Sequence, residues 1–422
     1  MTNFYFYAIL IPAFIQISYD MSDNTILDKI LTQKHADEIR AFNPITVVDD
    51  LMKGLSEREK TVIVDRFGLS NDGNRATLEE IGTKLNVTRE RVRQIIKGVI
   101  TKLRDLQIGH EEIQRFTRIA EQLLQSFGGV LEKDFFTSEL LALSEIAKTE
   151  LARRRATLYL EFVLNDIVIE AIEHRPANKI RRAVYAIPGI DDKLLTTVVT
   201  ELVNIINEAG ESLSEEELIE RFKNREVYNR TRSILIDEPV RLAREFFRTG
   251  VAASIPSSMK EEAEVLCAYI AAAATLEQNI FDEWGKRDWA MIHPKRMNDK
   301  IYLILRHEEK PMHFVSITEK INAALFDHKI AKSPSVHNEL ILDKRFVLVG
   351  RGIYALKEWG FERGTVAEVI TKILRESGEL TREQMVEAVL QRRFVKKQTI
   401  HLALMNRKLF AKHTDGRYVL VS

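Results

Sequence analysis

A short stretch of the chain, residues 88–104, concentrates positive charge. It carries six basic side chains against a single acidic one, Glu90. The basic residues are Arg89, Arg91, Arg93, Lys97, Lys102 and Arg104. The whole chain of 422 residues is neutral, with 62 Lys and Arg and 62 Asp and Glu. A surface that binds a polyanion must therefore be local, and this stretch is the strongest candidate.

The residue types in this stretch are those that read DNA. Arginine bonds to guanine through two N–H groups, glutamine bonds to adenine, and glutamate accepts a hydrogen bond from cytosine. Lysines and further arginines neutralise phosphates without reading sequence. A basic helix face alone is usually only solvated, so the prediction of DNA binding also depends on the elements that position these side chains.

The surrounding pattern predicts two helices joined by a short turn. The first helix should end near Leu85, Asn86 and Val87 should form the turn, and Thr88 should cap the second helix. At about 100° per residue, five apolar side chains of the second helix share one arc that must pack inward. They are Val92, Ile95, Ile96, Val99 and Leu103. Four cations, with Glu90 and Gln94 beside them, are expected on the opposite side: Arg89, Arg93, Lys97 and Arg104. This pattern indicates a DNA-binding helix-turn-helix.

The helices that precede this pair are also marked by their ends. Ser56 with Glu59, and Thr77 with Glu80, have the spacing of a capping box. Gly68 stands where the C-cap of a helix is expected. The segment is therefore predicted to be compact and helical.

Two stretches within residues 44–106 resemble region four of the primary bacterial sigma factors. They are LSEREKTVIVDRFGL, which begins at Leu55, and ATLEEIGTKLNVTRERVRQI, which begins at Ala76. The resemblance implies that the second helix reads the upstream (minus thirty-five) promoter element. It also implies that the domain docks on the flap of core RNA polymerase.

The same resemblance assigns roles to polar side chains at the start of the second helix. Arg89, Glu90 and Gln94 are predicted to read bases, and Arg91, Arg93 and Lys97 to contact phosphates or an activator. Thr88, the predicted cap, is included with them as a DNA-binding residue. Residues 1–46 are too few for the aromatic-rich region that melts promoters in that family. We therefore expect an accessory regulator that works with a complete sigma factor.

The second half of the chain holds a weak internal repeat whose copies share a Ser/Thr-x-x-Glu/Gln helix start. The three starts are Ser214 with Glu217, Ser316 with Glu319, and Thr381 with Gln384. The second and third copies continue with a short helix and a hairpin, which is the plan of a winged helix. The predicted strands are Phe346–Val349 and Ile353–Leu356 around Gly350-Arg351-Gly352, and Leu409–His413 and Arg417–Leu420 around Asp415-Gly416.

The middle copy, which ends RFVLVGRGIYALKEWG at Gly360, resembles HARE-HTH winged helices and the amino-terminal domain of the delta subunit of RNA polymerase. The last copy is basic. Four cations around its second helix are predicted to hold DNA without sequence preference: Lys396, Lys397, Arg407 and Lys408.

The predicted fold is mainly α and multi-domain: a helix-turn-helix, a helical middle, and tandem winged helices with short β-hairpin wings. The domains are an N-terminal lead at 1–43, the region-four-like domain at 44–108, the helical middle at 109–293, and winged helices at 294–360 and 361–422. Residues near 200–255 are interpreted as a degenerate relative of the winged-helix plan.

The first residues differ from the rest, because Phe4–Tyr19 is apolar and uncharged. This stretch is shorter than the roughly 20 residues that span a bilayer, and it lacks the basic start and cleavage site of a secretory signal. Two interpretations stay open. The stretch is a membrane anchor, or it results from an upstream start codon and the true chain begins at Met21; we favour the second. We expect a cytoplasmic protein without stable membrane association.

No pattern supports catalysis, because the sequence shows no glycine-rich phosphate loop, nucleophile elbow or paired-His metal motif. A single cysteine, Cys267, excludes an intramolecular disulfide and a multi-cysteine metal site. We therefore predict no enzyme and no cofactor, and as partners double-stranded promoter DNA and bacterial core RNA polymerase. Two alternatives stay open: an adaptor that holds polymerase without reading promoters, and a DNA-binding subunit of a restriction or repair system.

Overall fold

The computed structural model describes residues 39, 42–70, 72–107, 109–144, 149–235, 240, 243, 258–362, 364–413 and 415–421. The described residues form two compact units, divided between Leu276 and Glu277. Helices dominate both units, and the strands form only small sheets. The prediction of a mainly α, multi-domain fold with short hairpins is confirmed. The apolar stretch Phe4–Tyr19 lies outside the described residues.

The first unit has eleven α-helices whose bounds lie within the described residues. They are α1 (Pro44–Met52), α2 (Glu57–Phe67), α3 (Leu78–Leu85), α4 (Arg89–Gln107), α5 (Glu111–Ser126), α6 (Lys133–Ala142), α7 (Glu150–Phe162), α8 (Asp192–Ala209), α9 (Glu215–Lys223), α10 (Glu226–Leu235) and α11 (Ser258–Ala271). A π-helical turn at Val163–Ile167 follows α7. Three short strands, β1 (Val130–Glu132), β2 (Glu173–Arg175) and β3 (Val184–Ala186), form an antiparallel sheet in the order β1–β3–β2.

The predicted caps set the ends of the early helices. Ser56 and Glu59 form a complete capping box at the start of α2, and Thr77 and Glu80 form another at the start of α3. Gly68 ends α2 in the left-handed conformation, at φ 70°. These caps satisfy backbone groups that a helix end would otherwise leave unpaired.

The main hydrophobic core of the first unit joins the early helices to the later ones. It includes Leu51 of α1, Leu103 of α4, Phe116 of α5, Phe136 of α6 and Tyr185 of β3, all buried. The helical middle is therefore packed directly against the helices that lead up to α4.

The predicted degenerate winged helix near residues 200–255 begins with α8, α9 and α10. The predicted start at Ser214 is confirmed, because its hydroxyl accepts from the backbone N–H of Glu217 at 3.2 Å. Most residues between Leu235 and the start of α11 lie outside the described part of the chain. A winged helix here stays a prediction.

The second unit holds two modules in succession. A small two-stranded sheet, β4 (Leu276–Gln278) with β5 (Trp284–Lys286), precedes them in the chain. The first module contains α12 (Met297–Glu308), β6 (Met312–His313), α13 (Phe314–Ala323), α14 (Ser333–Leu342), β7 (Phe346–Gly350) and β8 (Ile353–Leu356). The second contains α15 (Val366–Ser377), α16 (Arg382–Arg392), α17 (Lys397–Leu404), β9 (Phe410–Lys412) and β10 (Tyr418–Leu420).

Both predicted hairpins are present. In the first module the strands form an antiparallel sheet in the order β6–β8–β7, and Phe346 pairs with Leu356. In the second module β9 pairs with β10. Gly352, at the turn of the first hairpin, has a φ of 67°, and a Cβ there would lie 2.6 Å from Nε2 of His313. That turn therefore requires glycine.

One predicted helix start is wrong. Ser316 lies inside α13, which begins at Phe314 and is capped by His313, whose Nδ1 accepts from the backbone N–H of Val315 at 3.3 Å. His313 pairs with Ile353 in the sheet, so the chain is held extended up to that residue and turns into a helix at once. The predicted start at Thr381 with Gln384 is confirmed as a capping box.

Candidate nucleic-acid interface

The turn between α3 and α4 is tight and depends on two residues. Asn86 ends α3 in the left-handed conformation, at φ 54° and ψ 49°, which asparagine tolerates better than most residues. A Cβ on Gly82 would lie 2.7 Å from the backbone oxygen of Val87, so the chain can fold back over α3 only where a side chain is missing. The hydroxyl of Thr88 accepts from the backbone N–H of Arg91 at 3.2 Å, which confirms the predicted cap.

One side of α4 is buried along its length. Near its start Val92 packs with Val62 and Ile81 in a small core of the helix-turn-helix. Further along, Val99 and Leu103 enter the main core of the unit. The remaining members of the predicted arc, Ile95 and Ile96, are half-buried and pack on these cores. The helix is thereby fixed at both ends and its polar side faces outward.

The predicted reading residues lie together on the exposed side of the first turns of α4. All of them are exposed: Arg89, Glu90, Arg91, Arg93, Gln94 and Lys97. Residues three and four positions apart are neighbours on a helix, so these side chains form one continuous polar surface. We call this set, together with Thr88, the α4 face.

A hydrogen-bonded network links four side chains of the α4 face. Arg93 donates to both carboxylate oxygens of Glu90, from Nε at 2.9 Å and from Nη2 at 2.7 Å. Gln94 donates from Nε2 to the same carboxylate at 3.5 Å and accepts from Nη1 of Arg91 at 3.2 Å. The Arg93 guanidinium lowers the pKa of Glu90, and the carboxylate in turn raises the pKa of Arg93.

The other two cations of the α4 face are available. Arg89 and Lys97 form no side-chain hydrogen bond or ion pair with any residue that the structure describes. An incoming phosphate or base edge can therefore bind them without breaking an internal contact.

Two cations near the end of α4 have structural roles instead. The predicted placement of Arg104 on the open side is wrong, because its Nε donates to the backbone oxygen of Asp166 at 2.7 Å and the side chain is half-buried. Lys102 donates to the backbone oxygen of Gly54 at 2.9 Å. Both partners are remote in sequence, so the helix pattern alone could not identify them.

The predicted cations of the last module are exposed too. Lys396 and Lys397 stand at the start of α17, and Arg407 and Lys408 follow its end. Their surroundings differ from those of the α4 face, because large apolar side chains are exposed beside them. Among the described residues no group of His, Cys, Asp and Glu is arranged to hold a metal ion.

Comparison with known proteins agrees with the geometry of α3 and α4. The family Sigma-70, region 4 matches residues 51–105. Residues 51–105 form a sigma-70 region 4 domain. The resemblance to sigma region four is thereby confirmed for these residues.

The similar proteins are RNA polymerase sigma factors. The chain is 56% identical over 62 residues to the sigma factor RpoD of Helicobacter pylori (strain ATCC 700392 / 26695), which is 15% of this chain and 9% of that protein. It is 49% identical over 57 residues to SigA of Lactococcus lactis subsp. cremoris, 14% of this chain and 15% of that protein. It is 54% identical over 52 residues to SigA4 of Synechococcus elongatus, 12% of this chain and 16% of that protein.

The chain thus spans only 9% to 16% of the length of these relatives. No solved structure shows significant similarity to it. Within the described residues, no helix is both long enough and apolar enough to cross a membrane.

Proposed function

We propose that the protein is a DNA-binding transcription regulator related to sigma factors, which reads promoter DNA through the α4 face. The observation that carries the proposal is the exposed set of Arg, Glu and Gln side chains on α4, within a sigma-70 region 4 domain. The opposite side of this helix is buried in the protein core. These are the groups that bond to base edges in the major groove. The two free cations, Arg89 and Lys97, add affinity for the phosphate backbone.

The surface of the domain favours DNA over a purely protein-binding role. Among the described residues between 42 and 105, no large hydrophobic side chain is exposed; Leu106 is the first along the chain. Protein interfaces usually contain an apolar centre, whereas phosphates and base edges require polar groups. An adaptor that uses this domain only to hold polymerase is therefore the second candidate.

We further propose that the protein binds promoter DNA and core RNA polymerase as an accessory factor. Opening a duplex requires exposed aromatic side chains on which the unpaired bases can stack. Among the described residues of the first unit, large aromatic side chains such as Phe116, Phe136 and Tyr185 are buried in the core. The exposed large hydrophobic residues described in that unit are aliphatic: Leu106, Leu151, Ile169 and Ile180.

Run-off transcription tests the accessory role. Purified core polymerase is supplied with this protein alone, with a housekeeping sigma factor alone, or with both. We expect specific transcripts only when the complete sigma factor is present, and a changed yield when both are added. Specific transcripts from core enzyme and this protein alone would contradict the proposal.

The two modules of the second unit are proposed to be winged helices, the first of them of the HARE-HTH type. The order helix, short strand or bridge, helix, helix and hairpin supports this in both modules. A factor that acts on promoters in this way would work in the bacterial cytoplasm.

Genome-wide DNA occupancy, combined with recovery of core polymerase on the tagged protein, tests the proposed function as a whole. Occupancy centred on promoters together with polymerase supports it. Polymerase recovery with occupancy that does not depend on the α4 face would favour the adaptor.

A further inference from the structure

The last module exposes an apolar surface on the helix before its hairpin. Leu402 of α17 is 68% exposed, and Met405, which ends the helix, is 70% exposed. The two lie three positions apart and therefore on the same side of the helix. Leu409 and Val421 are also exposed, and the backbone N–H of Val421 donates to the oxygen of Leu409 at 3.0 Å.

This exposure does not result from an incomplete core. Ile400 and Leu404, on the other side of α17, are buried with Ile373, Met385 and Phe410 in a core of the module's own. Leu402 and Met405 are therefore not needed for the packing of the module. Exposed large apolar side chains that cluster in this way usually mark a binding surface.

Unpaired positive charge lies at both ends of the helix that carries the apolar surface. Lys396, Lys397, Arg407 and Lys408 form no side-chain hydrogen bond or ion pair with any described residue. Elsewhere in the module, Lys372 is paired with Glu362 at 3.0 Å, and Arg392 is paired with Glu376 at 2.8 Å. Because these cations have no ion pair within the described residues, they can bind the acidic side chains of a partner.

The surface of α17 differs from the α4 face in composition, and the difference favours a protein partner over DNA. The α4 face is polar throughout, whereas the surface of α17 is apolar at Leu402 and Met405 and basic around them. An apolar centre with a charged rim is the anatomy of a protein interface. DNA would meet the cations but would leave much of the apolar area without a partner.

We propose that this surface of α17 binds an acidic amphipathic segment of another protein. Leucine or phenylalanine side chains of the segment pack on Leu402 and Met405, and its Asp and Glu side chains pair with the flanking lysines and arginines. The proposal does not depend on promoter reading by α4. It replaces non-specific DNA binding as the interpretation of the four cations.

The test uses the full chain and a synthetic peptide with Leu and Phe on one helical face and Glu on the other. Binding is measured by fluorescence anisotropy for the wild type and for the double variant Leu402→Ser/Met405→Ser. We expect the double variant to lose about tenfold or more in affinity for the peptide. Leu151→Ser, at a residue 64% exposed in α7, is the matched control and should bind as the wild type does. Thermal unfolding checks that each variant folds.

Competition decides between protein and nucleic acid. At moderate salt, where non-specific binding to phosphates is weakened, a random-sequence DNA duplex should not displace the peptide. A peptide of the same composition with a scrambled order should bind weakly. Equal binding of the double variant and the wild type would overturn the proposal. Displacement by the duplex would also overturn it and would favour the sequence-based prediction of DNA binding.

Discussion

The Nε of Arg104 donates to the backbone oxygen of Asp166 at 2.7 Å, which joins the end of α4 to the π-helical turn after α7. The two residues are separated by 62 positions. A second link joins α7 to the segment between α2 and α3: the hydroxyl of Tyr159 donates to the backbone oxygen of Leu69 at 2.6 Å. These two hydrogen bonds attach the helix-turn-helix to the helical middle.

Replacing Arg104 should affect stability and leave the electrostatics of DNA binding unchanged. Arg104→Ala removes a charge-assisted hydrogen bond from a half-buried backbone oxygen, which should cost about 1–3 kcal/mol of unfolding free energy. The salt dependence of DNA binding should stay as in the wild type. Denaturant unfolding and binding titrations over a range of salt measure the two effects. A flatter salt dependence would show that Arg104 contacts phosphate after all.

Replacing the residues that we propose to read bases should relax sequence preference. Arg89→Ala and Gln94→Ala should each cost about 1–3 kcal/mol on the preferred duplex and much less on a random one. Lys97→Ala should weaken both equally and lower the salt slope by about 1. Arg153→Ala, an exposed arginine on α7, is the matched control and should change neither. Equal losses on both duplexes for all three variants would contradict the base-reading roles.

Removing the charge of Glu90 should free Arg93. In the wild type the carboxylate accepts two hydrogen bonds from the guanidinium and opposes the approach of phosphates. Glu90→Gln should therefore strengthen binding to random duplex and steepen the salt slope by about 1, because one more cation reaches the backbone. Anisotropy titrations at several salt concentrations measure both quantities. An unchanged slope would show that Arg93 stays outside the interface.

Stability should fall as the pH rises because of Glu139 in α6. This carboxyl is 1% exposed, and burial raises its pKa to about 8. The folded state therefore keeps the proton while the unfolded chain loses it near its ordinary pKa. The contribution of Glu139 to the free energy of unfolding is therefore highest below about pH 4.5. It falls between about pH 4.5 and about pH 8, by up to about 1.4 kcal/mol per pH unit.

Glu139→Gln should remove this fall in the free energy of unfolding with rising pH and should stabilise the first unit at neutral pH. Thermal unfolding of the variant and the wild type between about pH 5 and about pH 8 measures the difference. Glu170→Gln, at an exposed position, is the control and should keep the slope of the wild type. Parallel slopes for Glu139→Gln and the wild type would mean that Glu139 does not titrate in this range.

The part of the structure that could be predicted from the sequence is local. The caps at Ser56 and Thr77, the αL end of α2 at Gly68 and the buried arc of α4 all depend on residues a few positions apart. Helical periodicity and capping act at that range, so the sequence pattern is enough.

The part that could not be predicted depends on contacts between distant residues. The helix wheel places Arg104 on the open side, but its partner lies 62 positions away. Ser316 has the spacing of a helix start, yet the pairing of His313 with Ile353 moves that start. The exposure of Leu402 depends on which side of α17 enters the core around Ile400, and that core is built from several helices.

Selection of binding sites from a random DNA library tests sequence reading by the α4 face most directly. The full chain and the Arg89→Ala/Gln94→Ala double variant are each used to enrich duplexes at moderate salt, and the bound pools are sequenced. We expect the wild type to enrich one motif, and the double variant to lose preference at the positions within it that Arg89 and Gln94 contact. Pools without an enriched motif, or the same motif from both proteins, would contradict base reading by this helix.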